Sequence, residues 1–294
     1  MTAYYAQNLT NLKNVSTALL VQIEERPDLN WSLLIDRAFD YGQDGGPQIT
    51  GTNCYDGEDT TELKGVAPWL LTFYTPGQSV TAAKQLFYRW LSHCSGRPMV
   101  SIVASKETAQ QIAGEWKNLH FVEASDGQKL LLRFSDTRVL VNLPKLLTNE
   151  QWATLTSPLD LWLTIDREGE LIACPFLPTQ SIKSKAPFEL SDGQIAAFTN
   201  AAESDAMIDY LAENMRDIIP HDISPAQLYA IIADTLALAM QYGVVMWPDK
   251  FSLICAACLT LGECNRDPSL GALLKERGWN PGALGEALEA AGVI

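Results

Sequence analysis

Apolar positions along this chain recur at two different periods, and their alternation sketches a fold before any chemistry is considered. Leu12, Val15, Leu19, Leu20 and Ile23 fall at three- and four-residue spacing, which predicts a helix ending before Pro27. WSLLIDRA follows as an apolar run of strand length. PWLLTF at 68–73 predicts a second strand and MVSIVAS at 99–105 a third. Between them Ala83, Leu86, Phe87, Trp90 and Leu91 form one helix face. Ser105 stands where it would cap a helix burying Ala109, Ile112, Ala113 and Trp116. HFVEASDGQKLLLRF reads as a hairpin with Ser-Asp-Gly at its tip. Val139, Leu140, Leu143, Leu146 and Leu147 mark a helix that Pro144 should shorten or distort. LDLWLTIDREGELIACPF predicts a second hairpin, turning at Arg-Glu-Gly. Interleaved strands, helices and hairpins predict an α/β lobe over 1–176, built on a mixed sheet with flanking helices.

The pattern changes after that. LPTQSIKSKAPFEL at 177–190 has two prolines and little periodicity, and reads as a linker. From 191 to 294 only the helical period remains. SDGQ at 191–194 and SPAQ at 224–227 are capping boxes, the second with proline at the first helical position. Trp247-Pro248, Asp267-Pro268 and Asn280-Pro281 predict three further helix starts, while Gly243, Gly262, Gly278 and Gly292 stand where helices should stop. The expectation is an all-α lobe of about five helices. One stretch of the first lobe, residues 40–66, has six glycines and no period. No Gly-Lys-Ser/Thr follows to make a phosphate cradle, so a mobile loop is predicted there.

Charge narrows the partners. The 294 residues carry a formal net charge of −14, of which −10 falls on residues 186–294. No run of Lys or Arg offers the basic footprint that nucleic acid or an anionic membrane surface requires. No apolar run reaches the length of a membrane span, and no secretory signal is visible at the start. The six cysteines are scattered in a chain too long to need disulfide staples. The simplest expectation is a reduced, cytoplasmic protein without membrane insertion.

Candidate chemistry is sparse. Cys255 and Cys258 form a C-x-x-C with Cys264 beyond it, but no second pair or nearby histidine completes a zinc set. The two thiols fall on a predicted apolar helix face and read as core. His93, His120 and His221 neighbour no nucleophile elbow. His93 beside Cys94 is a conceivable thiol–imidazole pair, although a helix end, with the imidazole facing the last carbonyls, is the plainer reading. No cofactor fingerprint is present. The most concentrated charge in an apolar setting is LLLRFSDTRVL at 130–140. Asp136 lies between a strand and a helical pattern, where a carboxylate caps free backbone N–H groups, and Arg133 and Arg138 flank it as donors. We read this as a corner fastening rather than a catalytic centre.

These segments, taken in order, resemble the effector chaperones, or adaptors, of bacterial type VI secretion. The resemblance rests on WSLLIDRAF with Asp36, GVAPWLLTF with Pro68 and Trp69, LFYRWL with Trp90, MVSIVASKETAQQIAGEW, and above all RFSDTRVL. It spans roughly residues 17–173. In the last motif Arg133, Phe134, Asp136 and Arg138 match, whereas Ser135 replaces the usual tyrosine and Thr137 the usual proline. The resemblance implies a non-catalytic protein without cofactors. Such a protein binds a toxic effector in the producing cell and helps load it on the valine-glycine repeat spike protein. The alternatives are a cryptic hydrolase and an immunity protein that neutralises a toxin.

Overall fold

The computed structural model describes residues 4–42, 47–176 and 184–293. In chain order it contains α1 (Leu12–Glu25), β1 (Asn30–Asp36), β2 (Thr52–Asn53), β3 (Pro68–Tyr74), α2 (Val80–Cys94), β4 (Val100–Ser105) and α3 (Ala109–Trp116). Then come β5 (Phe121–Ala124), β6 (Lys129–Leu131), α4 (Thr137–Leu140), α5 (Leu143–Leu146), α6 (Asn149–Thr156), β7 (Leu161–Ile165), β8 (Leu171–Ala173) and β9 (Phe188–Leu190). The helices α7 (Asp192–Asn214), α8 (Pro225–Gln241), α9 (Trp247–Leu259), α10 (Pro268–Glu276) and α11 (Leu284–Ala290) complete it. The chain divides into two compact units, Leu9–Ala201 and Met1–Asn8 with Ala202–Ile294. The class is therefore the expected one, α/β followed by about five helices.

In the α/β unit six strands run in the order β2-β3-β1-β4-β7-β8, every neighbour antiparallel. The mixed pairing expected of the main sheet is found instead in a second, three-stranded sheet, β6-β5-β9. There β5 is antiparallel to β6 and parallel to β9. β1 is the centre of the large sheet and is buried from Trp31 to Asp36, because helices cover both faces. On one face Phe73 meets Phe87 of α2 edge to face at 5.4 Å. On the other, Leu34, Leu70, Val103 and Trp162 join Ile112 and Trp116 in a continuous core. Trp116, Trp162 and Trp152 stack there at 5.5 and 6.1 Å between ring centres. Their indole N–H groups donate to the Leu155 carbonyl, the Ser101 hydroxyl and the Pro175 carbonyl, so three large rings are buried with no donor left unpaired.

Several local expectations are corrected. Thr108, not Ser105, caps α3, in a full capping box with Gln111. Ser105 instead donates to the Pro158 carbonyl. The 40–66 segment holds β2 and a 3-10 helix at Glu58–Val66, with Tyr55 and Cys54 in the core; residues 43–46 lie outside the described ones. Residues 177–183 of the expected linker also lie outside them, and its end is strand β9. α6 was not expected, although Thr148 and Gln151 form a capping box at its start. The helix expected over 139–147 is two short pieces, α4 and α5, with Pro144 in the first turn of the second rather than at the break.

In the helical unit α8 starts at the expected capping box of Ser224 and Gln227. Gly243 (φ +67°) turns the chain into α9. Cys258 lies in one buried cluster with Ile208, Leu228 and Ile254, and Cys264 in another with Leu253 and Leu270, both as core residues. Arg277, rather than Gly278, takes the left-handed position after α10. The last helix begins at Leu284, three residues beyond Pro281, because Asp249 holds its start. That buried carboxylate accepts from the N–H groups of Gly282 and Leu284 and from the Trp279 indole.

Candidate functional site: a carboxylate and arginine corner

The charges of RFSDTRVL meet the end of β1. Asp136 caps α4 as expected, accepting from the Arg138 N–H at 3.0 Å. The Arg138 side chain closes on the same carboxylate through Nε at 3.1 Å and a terminal nitrogen at 2.9 Å, the two-pronged geometry that makes such pairs strong. Arg133 does something else. It reaches 97 residues back to Asp36, donating at 2.8 Å, and stands only at 4.0 Å from Asp136. Ser135 Oγ donates to the same Asp36 oxygen at 2.9 Å. Asp36 also caps the turn that follows β1, accepting from the Ala38 N–H at 3.0 Å. Both aspartates are almost fully buried.

This turn, Arg37–Asp40, adds residues that sequence reasoning did not single out. Phe39 lies between the two arginines, with the Arg133 and Arg138 guanidinium carbons 5.3 and 5.5 Å from its ring centre, within range of cation–π attraction. Asp40 is buried too and takes Arg97 at 2.8 Å, His93 at 3.0 Å and Arg37 at 3.3 Å. The signal was present, since Asp36-Arg37-x-x-Asp40 puts three charges at the mouth of an apolar strand. Only the fold shows that two of their arginine partners, Arg97 and Arg133, come from distant segments.

His93 does not use the last carbonyls of α2 as expected. Its Nε2 has Asp40 at 3.0 Å and an Arg97 nitrogen at 2.9 Å, and one ring nitrogen can serve only one of them. Arg97 has other acceptors in Asp40 and the His93 carbonyl, so the Nε2–H is assigned to Asp40. Burial lowers the His93 pKa, and Arg97 and Arg37 add to that against the pull of Asp40. Burial alone would also lower the Arg133 pKa, but Asp36, with Asp136 behind it, more than offsets this and raises it.

The other motif residues divide between this corner and the core. Pro68 lies opposite Asp36 across β1 and β3, and half-buried Trp69 is opposite Ile35. Trp90 is buried and meets His93 edge-on at 5.7 Å. Phe134 turns away from the charges and packs on Trp116 and His120 at 5.0 and 5.1 Å. Chemically the corner holds charge in place. Each carboxylate is occupied by cationic or backbone donors, and Cys94, beside His93 in the chain, is buried with its pKa pushed up to about 12. A thiol in that state is not a nucleophile near neutral pH. Among the described residues no group of three His, Cys, Asp or Glu side chains is placed to hold a metal ion, and no helix is long and apolar enough to cross a membrane.

Residues 32–154 match the model of a family described as a domain of unknown function (DUF4123). The matched span opens in β1, closes in α6 and contains every residue of the corner. That family is associated with effectors of bacterial type VI secretion. No curated protein and no solved structure matches this chain.

Proposed function

We propose that this protein is a non-catalytic adaptor of type VI secretion, which binds a toxic effector in the cytoplasm of the producing cell and helps load it on the valine-glycine repeat spike protein. The observation that carries the reading is the family match over 32–154, a span that contains the buried corner of Asp36, Arg133, Asp136 and Arg138. A corner whose ionic groups are mutually satisfied suits a scaffold that presents surfaces, not one that turns over substrate. The Cys94 and His93 geometry speaks against the thiol hydrolase alternative. Affinity purification of the full chain from producing cells tests the proposal. Co-purification of a toxin encoded nearby together with the spike protein is expected. Recovery of neither, with the locus expressed, overturns it, and protection of a susceptible target cell by this chain alone would make it an immunity protein.

A further inference from the structure

The helical unit exposes apolar side chains where its own core has no use for them. Met240, in the last turn of α8, is 71% exposed, and Val245, in the connection to α9, is 78% exposed. Met246 and Trp247 follow, each nearly half exposed. Backbone bonds from Gly243 to Met240, from Val244 to Ala239 and from Lys250 to Met246 fold this short stretch back on itself, so the four side chains share one end of the α8–α9 hairpin. Trp247 extends the patch onto α7. Its ring stacks flat on Phe251 at 4.9 Å, and the exposed Tyr210 closes edge-on against both at 4.9 and 5.0 Å. Single exposed apolar residues need no explanation, but an exposed apolar run at 245–247, next to a braced aromatic cluster and the exposed end of α8, marks a contact surface. Two of its outermost members are methionines, whose flexible thioethers adapt to varied apolar partners.

Charge says what kind of partner fits. Residues 202–294 carry 13 acidic and 5 basic side chains. Glu213, exposed and one turn beyond Tyr210, borders the patch. Lys250, one turn beyond Trp247, is neutralised by Glu203 at 2.6 Å. Arg277 is spent on the connection between α8 and α9, donating to the Tyr242 carbonyl at 3.4 Å. The unit that carries the apolar patch is thus acidic overall, by 13 side chains to 5. We propose that Met240, Val245, Met246, Trp247 and Tyr210 form a docking site for an amphipathic helical segment, apolar on one side and lined with Lys or Arg along its margin. The segment belongs to the cargo; that assignment rests on the adaptor reading, whereas the surface itself does not. Apolar burial supplies the affinity, and the acidic surplus of the unit selects the partner's charge and speeds encounter.

The test uses the full chain and two synthetic helical peptides with the same leucine face, one bearing lysines and the other glutamates on its polar side. Calorimetric titration should show binding of the leucine–lysine peptide, weakened at least about tenfold in Met240→Gln/Val245→Asn, which alters no charge. Both positions are exposed, so the variant should keep the wild-type circular dichroism and melting temperature; Trp247→Ala is the harsher second variant. The leucine–glutamate peptide should bind at least about tenfold more weakly than its lysine counterpart. Equal affinity of wild type and variant, equal affinity for the two peptides, or no binding of the leucine–lysine peptide would overturn the proposal. Peptide binding with an empty pull-down would sink the adaptor reading and leave the surface, and the reverse would sink the surface alone.

Discussion

Asp36 and Asp136 are buried acids that differ in what their loss leaves behind. Asp136→Asn keeps an oxygen for the Arg138 N–H and loses the two-pronged pair; Asp136→Ala loses both, and should cost about 1–3 kcal/mol. Asp36→Ala strands half-buried Arg133 and unpairs Ser135, so it should cost more than the alanine change at 136, about 3 kcal/mol. Urea unfolding of the three variants ranks them. Equal stability of all three with binding abolished would instead make the corner a contact site. His120 behaves differently. Its ring lies between Tyr55 and Phe134, at 4.7 and 5.1 Å, and neither nitrogen makes a well-formed hydrogen bond among the described residues. Burial lowers its pKa to about 4, with only the Cys54 backbone working the other way. An unfolded chain takes up that proton near pH 6.5 and the folded one does not, so stability should be full above pH 6.5. It should fall by roughly 3 kcal/mol as pH drops through 4. His120→Phe keeps the ring contacts without a titrating group; its acid limb should be flatter, and an unchanged limb would contradict this account.

At the scale of elements, the close approaches are the most informative. Gly169, at φ +83° in the β7–β8 turn, has the Leu9 carbonyl where a Cβ would stand, and its own carbonyl accepts from Asn11 ahead of α1. Gly169→Ala should cost about 2 kcal/mol or more by thermal melt, and more than Gly77→Ala, where a positive φ alone costs roughly 1 kcal/mol and no atom lies within 4 Å of the added carbon. Gln151 ties three elements together, donating to the Glu189 carbonyl of β9 and accepting from Gln194 of α7 while boxing the start of α6. The sequence made the strands of the large sheet other than β2 legible because each is an apolar run bounded by turn residues, and made Asp136 legible because a short acid between two patterns is a cap. It did not reveal that Arg133 prefers Asp36, since the two are 97 residues apart and only the sheet brings them together. β9 was hidden for the same reason. Three residues carry no period, and their strand character comes from pairing with β5. Neither the patch at Met240–Trp247 nor the role of Asp249 has a periodic signature, because exposure and long-range capping are properties of the packed chain.

For the whole molecule, the position of β9 and the start of α7 moves the boundary that a fragment must respect. Ile195 and Phe198 pack on the core of the α/β unit. A fragment of residues 9–201 should therefore unfold cooperatively, whereas one ending at 185 loses β9 and both Gln194 bonds and should melt lower and less sharply. Equal melts would place the boundary back in the 177–190 segment. The acidic surplus of the helical unit belongs at this scale as well, since it governs encounter more than the stability of any one contact. The central claim is delivery of a toxin by a protein that performs no chemistry on it. Its most direct measurement is the amount of the neighbouring effector exported by producing cells with and without this chain, alongside the amount made. The account predicts that deletion leaves the effector synthesised and active in the producer but absent from the medium, with export restored by the full chain. Unchanged export in the deletion strain would contradict it.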